Sequence, residues 1–174
     1  MKRVAAALAA LLSSGCAATT STPPQTDGLW AISIAPEGQP DKARLSQLCV
    51  THDPAYLAQM KAVADKMLKL VKVEQTISNE KRTPTSWSYD YVRTMGPIKG
   101  DGPAMTYRGS RQLTFPDDKH RTTRETVTGT LGTLPALNRD QVTTMTWISQ
   151  DCGDVKPISL EDFPLVAEKL DGAK

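Results

Sequence analysis

The chain has 174 residues, and its 21 Lys and Arg stand against 19 Asp and Glu, for a formal charge of +2. Lys2 and Arg3 supply that excess, so the rest is balanced at 19 against 19, which excludes a nucleic-acid reading based on net charge. With 39% hydrophobic residues and only three cysteines, the chain can bury one core and does not need a dense disulfide scaffold.

Lys2 and Arg3 precede an apolar run from Val4 to Leu12, followed by Ser13-Ser14-Gly15 and then Cys16. A basic start, a short apolar stretch and small residues form a bacterial export signal, and the run is too short for a permanent span. Two processing schemes fit. Leu12 to Cys16 resembles a relaxed lipobox with lipidation at Cys16, whereas Cys16-Ala17-Ala18 would suit ordinary small-x-small cleavage. The lipoprotein reading makes residues 1–15 a signal peptide, 16–27 a lipidated flexible tether and 28–174 a single globular domain. Acyl chains on Cys16 would anchor the chain without a spanning helix, and Ala17 behind it favours the periplasmic face of the outer membrane over retention at the inner one. Ordinary cleavage would leave a soluble periplasmic or secreted protein. The tether is small, polar and Pro-containing and would reach about 20 Å on average.

The first strand is predicted over Gly28 to Ala35, with Trp30, Ile32 and Ile34 on one face and a turn at Pro36 to Pro40. A second extended segment, Lys42 to Val50, delivers Cys49. Thr51 or Asp53 would cap the next helix and Pro54 suits its first turn; Leu57, Met60, Ala64, Met67 and Val71 then follow at helical spacing. After Val71 the pattern alternates through Val73 and Ile77. A polar loop at Asn79 to Pro84 is expected before a strand with Trp87, Tyr89 and Tyr91 on one face.

The clearest alternation runs through Met105, Tyr107, Leu113 and Phe115, an odd face predicted to be buried. Pro116 to Lys119 reads as a loop, and Arg121 to Leu131 returns with Thr122, Arg124, Thr126, Thr128 and Thr130 on a polar face. A loop at Pro135 to Asp140 leads to a strand from Gln141 to Gln150. Ser159 to Leu170 suggests a short C-terminal helix, kinked or delayed by Pro164. The fold class is therefore α+β: a twisted antiparallel sheet or partly closed barrel of six or seven strands, with one long early helix and a short C-terminal one.

With Cys16 spent on lipid, Cys49 and Cys152 remain in an oxidising compartment and are expected to pair; two buried free thiols are the alternative. The order of landmarks is distinctive: the export leader, Gly28-Leu29-Trp30, Leu48-Cys49-Val50-Thr51 before a helix, Tyr107-x-Gly109, and Asp151-Cys152-Gly153. In this order the chain resembles the secreted bacterial domain-of-unknown-function family 3617 over roughly residues 27–154. Members of that family often carry a second cysteine pair in mid-domain, which this chain lacks. The resemblance implies an envelope location and this architecture, and it implies no activity.

Candidate chemistry is sparse. Cys49-x-x-His52 is half a metal motif that Cys152 with Asp53 or Asp154 could complete, but the oxidising compartment favours a disulfide, so neither a metal nor any other cofactor is expected. The only histidines, His52 and His120, adjoin no nucleophile motif. Gly109-Ser110 lacks G-x-S-x-G flanks, no glycine loop would cradle phosphate, and no spacing singles out a carboxylate pair.

The densest charge lies in Arg108, Arg111, Arg121 and Arg124, with Lys119 and His120 between them. These arginines are the anion-binding candidates, toward headgroups, glycan phosphates or an acidic partner, and a solvated sheet face is the plainer reading. Asp117, Asp118 and Glu125 dilute that field. The aromatics Trp30, Trp87, Tyr89, Tyr91, Tyr107 and Trp147 read as core, or alternatively as the lining of a small apolar cavity. The sequence thus points to a noncatalytic, lipid-anchored envelope module that binds an envelope partner or an anionic lipid or glycan. A lipocalin-like carrier is the alternative, and a hydrolase comes third.

Overall fold

The computed structural model describes residues 25–97 and 102–158, with backbone alone at residues 63 and 66–71. Cys16, the leader, most of the tether and the expected C-terminal helix lie outside the described residues. Seven strands form one antiparallel sheet: β1 (Gly28–Pro36), β2 (Arg44–Val50), β3 (Val73–Thr83), β4 (Ser86–Met95), β5 (Met105–Thr114), β6 (His120–Leu131) and β7 (Leu134–Ser149). Their spatial order is β2-β1-β7-β6-β5-β4-β3. Strands β3 to β7 form a meander of hairpins, and the β1–β2 hairpin adds to its far side through β1–β7 pairing. A 3-10 turn, Pro40–Lys42, sits in the β1–β2 connection.

The sheet does not close, which corrects the barrel alternative. β2 and β3 are its two edges, and their outward backbones meet no strand of the sheet. The chain passes from β2 to β3 through a helix, α1 (Pro54–Val71), instead of a hairpin that would pair them. Exposure agrees with this. Every β3 residue after Val73 is exposed, as are the first four residues of β2.

Local chemistry explains how α1 starts. Asp53 is its cap: Asp53 Oδ1 accepts the Ala55 and Tyr56 N–H groups, both at 2.9 Å, while Thr51 Oγ1 accepts the Asp53 N–H at 3.2 Å. Proline at the first helical position loses no hydrogen bond there.

Two expected loops are strand. Residues 79–83 belong to β3, where Lys81 pairs with Ser88 and Arg82 with Trp87 beyond a register shift between Ser78 and Lys81; Asn79, at φ 52, takes up the irregularity. An edge strand keeps one side in water, so its polar residues carry no burial cost. Likewise Leu134 to Asp140 is the start of β7, and the turn lies earlier, at Gly132 and Thr133. Gly132 has φ 61, the conformation a two-residue hairpin loop demands. Pro135 is tolerated because β1 pairs with β7 only from Gln141 onward, so no neighbour needs its missing N–H.

Strand alternation divides the sheet into two faces. One carries Thr122, Thr126, Thr128 and Thr130 of β6; the other holds the cluster of Tyr89, Tyr91 and Val127, with Trp87, Tyr107 and Leu113 packed against it. Trp30 is fully buried, and its Nε1–H donates to the Thr26 carbonyl at 2.8 Å. Cys49 and Cys152 are joined, with Cα atoms 5.5 Å apart, which ties the end of β2 to the segment just after β7.

Candidate functional site

Among the described residues the aromatic face holds one buried acid. Glu125 on β6 is 8% exposed and stands opposite Arg111 on β5 and Gln141 on β7. Odd numbering brings this about: from Leu113 through Arg111 to Gly109, and from Thr123 through Glu125 to Val127, every second side chain faces the core.

Arg111 reaches Glu125 Oε1 with Nη2 at 2.5 Å and Nε at 3.1 Å, and its Nη1 lies 3.4 Å from the Tyr89 hydroxyl. Tyr91 donates its O–H to Glu125 Oε1 at 3.1 Å, and Arg139 on β7 reaches Oε2 at 3.2 Å. Both carboxylate oxygens are therefore bonded. Tyr91 reaches across β5 because Gly109 lies opposite it; a Cβ there would stand 2.2 Å from the Thr126 carbonyl oxygen and 3.1 Å from the Tyr91 hydroxyl.

Electrostatics follow from this geometry. Burial alone would raise the Glu125 carboxyl, but the Arg111 charge and hydrogen bonds, with Tyr91 and Arg139, outweigh it and hold it below the usual carboxylate range. Burial pushes the Tyr91 phenol up to about 12, and the Glu125 charge adds to that effect. For Arg111 the attraction of Glu125 overcomes burial and raises an already high value. The Arg111–Glu125 pair is ionised and hydrogen-bonded through the neutral range, which is the condition under which a buried ion pair is tolerated.

Around it the aromatics pack at tilted angles along β4, with centroids 4.6 Å apart for Trp87–Tyr89 and 6.3 Å for Tyr89–Tyr91; Arg82 lies 4.1 Å over Trp87. Rings and guanidinium groups lie against one another along this face. A shallow hollow of about 270 Å³ lies beside β2, lined by Ala31, Ser33, Leu45 and Gln47 among others.

Of the four candidate arginines, two fall on each face of the sheet. Arg111 and Arg121 face the core side, where Arg111 is committed to Glu125 and Arg121 lies 6.0 Å from the Phe115 ring. Burial lowers the Arg121 pKa from its ordinary value. Arg108 and Arg124 are on the threonine face, opposite Thr128 and Gln112, four residues apart along the hairpin or about 13 Å. Arg124 approaches Glu37 at 3.5 Å.

Cys49-x-x-His52 does not assemble a ligand set. Cys49 is in the disulfide and His52 Nδ1 pairs with Asp27; among the described residues no three His, Cys, Asp or Glu side chains converge. His120 bonds Asp117 at 2.9 Å within its own loop. In the sequence Glu125 stands out only as a charge that dilutes the arginines; the signal that marks it is parity, since Arg111 and Glu125 both fall on odd positions, the parity predicted to be buried. No family model, curated protein or solved structure matches this chain.

Proposed function

We propose that this protein is a noncatalytic binding or interaction module of the bacterial cell envelope, lipid-anchored through Cys16 at the periplasmic face of the outer membrane. In its order of landmarks it is of the kind of family 3617. The observation that carries the noncatalytic reading is the closure of the Glu125 cluster on itself. A general base or nucleophile must be free to meet a substrate, whereas both Glu125 oxygens are bonded and the Tyr91 phenol is held neutral. The ring-on-ring packing of Trp87, Tyr89 and Tyr91 argues against a carrier with an interior ligand volume.

Native mass spectrometry of the protein gently extracted from membranes tests this directly. The expected species carries an acyl mass on the Cys16 peptide, an oxidised Cys49–Cys152 pair and a bound protein partner. An unmodified Cys16 would remove the anchor, and hydrolytic turnover lost in Glu125→Gln would remove the noncatalytic reading.

A further inference from the structure

The strand register brings one feature together that no single stretch of sequence displays. At the end of the sheet where β6 turns into β7, Leu134 pairs with Leu131, Leu131 with Met105, Met105 with Met95, and Met95 with Val73. Five adjacent strands thus end in one row of apolar side chains. Leu134 is 68% exposed and Leu131 40%, and Leu137 two rungs further in is 36% exposed. From Leu131 to Leu137 the hairpin carries no charge. Gly132 is bonded to the Ala104 carbonyl and lies against Pro103, so the neighbouring connection contributes small apolar residues to the same end.

Charge appears in a definite order behind this row. Among the described residues in the first four rungs, Glu74 is the only acid, and it sits on β3, far from the leucines. Arg93 on β4 and Arg108 on β5 are the bases. Arg108 is exposed, has no ion pair among the described residues and lies three residues from Met105, about 10 Å. Exposed Lys72 immediately precedes Val73 at the β3 corner.

We infer that this end of the sheet docks on an anionic lipid bilayer, with the β6–β7 leucines entering the headgroup–acyl boundary and Arg108 and Lys72 meeting the lipid phosphates. Interfacial elements bury their apolar side about 5–10 Å deep and keep cations at headgroup level, which matches the spacing of the leucine row and Arg108. The chain enters the domain at the opposite end, where Thr26 bonds Asp118 beside the start of β6. Nine residue steps link Cys16 to Gln25, up to about 30 Å of chain, while β6 spans about 36 Å. A chain anchored at Cys16 therefore reaches the same membrane with its strands tilted toward the surface. The inference adds to the envelope-module reading but does not rest on the acyl anchor.

The test uses the mature chain carrying Cys16→Ser, so that no acyl group contributes, in co-sedimentation with phosphatidylethanolamine vesicles with and without phosphatidylglycerol. Binding that requires phosphatidylglycerol is expected, weakened about tenfold or more by Leu131→Asp with Leu134→Asp and left unchanged by Leu45→Asp, a comparably exposed leucine at the far edge. Arg108→Gln should weaken binding and flatten its salt dependence. Equal losses from Leu45→Asp, full binding by the double variant, or self-association through these leucines in place of vesicle binding would each overturn the inference. Should the double variant fold poorly, an environment-sensitive fluorophore on Thr133→Cys decides in the parental sheet: a blue shift with anionic vesicles is expected, and its absence is decisive against. Acylation at Cys16 is read separately by mass, so either idea can fail alone.

Discussion

Glu125 is a carboxylate inside a sheet, and its cost is met only as long as its partners stay in place. Removing it strands Arg111 as a buried unpaired cation, so Glu125→Ala should destabilise the fold by about 3–5 kcal/mol in chemical denaturation. Replacing both Arg111 and Glu125 by leucine should cost far less than the sum of the single changes, because apolar packing substitutes for the pair without leaving a charge behind. Additive single-site losses would show that the two do not act together.

The acid dependence has a definite sign. Since folding lowers the Glu125 pKa, its contribution is complete above the unfolded value near pH 4.5 and is lost as pH falls through the folded one. Glu125→Gln should therefore flatten stability against pH on the acid side. Tyr91 behaves oppositely: its raised pKa makes its contribution complete below pH 10 and lost as pH rises toward about 12. Tyr91 should titrate late by absorbance at 295 nm, and Tyr91→Phe should abolish that late step.

At the scale of elements, α1 depends on a single side chain for its start. Asp53→Ala removes the acceptor for two N–H groups and should cost about 1 kcal/mol, with Asp53→Asn restoring most of it. Gly109→Ala should cost more than a typical exposed glycine replacement, since the new methyl meets backbone at Thr126 and the Tyr91 hydroxyl together. Alternation located β5 and β6 well because their two faces differ in polarity. It misplaced two turns for reasons of context. Asn79 to Thr83 looked like a loop because an edge strand needs no apolar face, and Pro135 looked like a stop because its unpaired side is invisible in a linear chain.

For the molecule as a whole, the Cys49–Cys152 bond closes a separation of 103 residues, and with it nearly the entire sheet. In the chain-entropy account its reduction should lower stability by about 4–5 kcal/mol, measured as a denaturation shift with and without reductant. The same end of the sheet is held by Trp30 and Trp147, which donate to the carbonyls of Thr26 and Asp27 at 2.8 and 3.0 Å. The segment around Cys49 and His52, which looked most like a ligand cluster, is a structural junction of disulfide, His52–Asp27 pair and helix cap.

The sequence by itself determined the antiparallel α+β character, the buried and wetted faces of the central strands and the cysteines available to pair, because each of these follows from local periodicity or counting. Only the tertiary structure decided that the sheet stays open, that Arg111 and Arg139 converge on Glu125, and that five strand ends align into one apolar row. Those features depend on which strands neighbour each other and in what register, and one step of register moves every side chain to the opposite face.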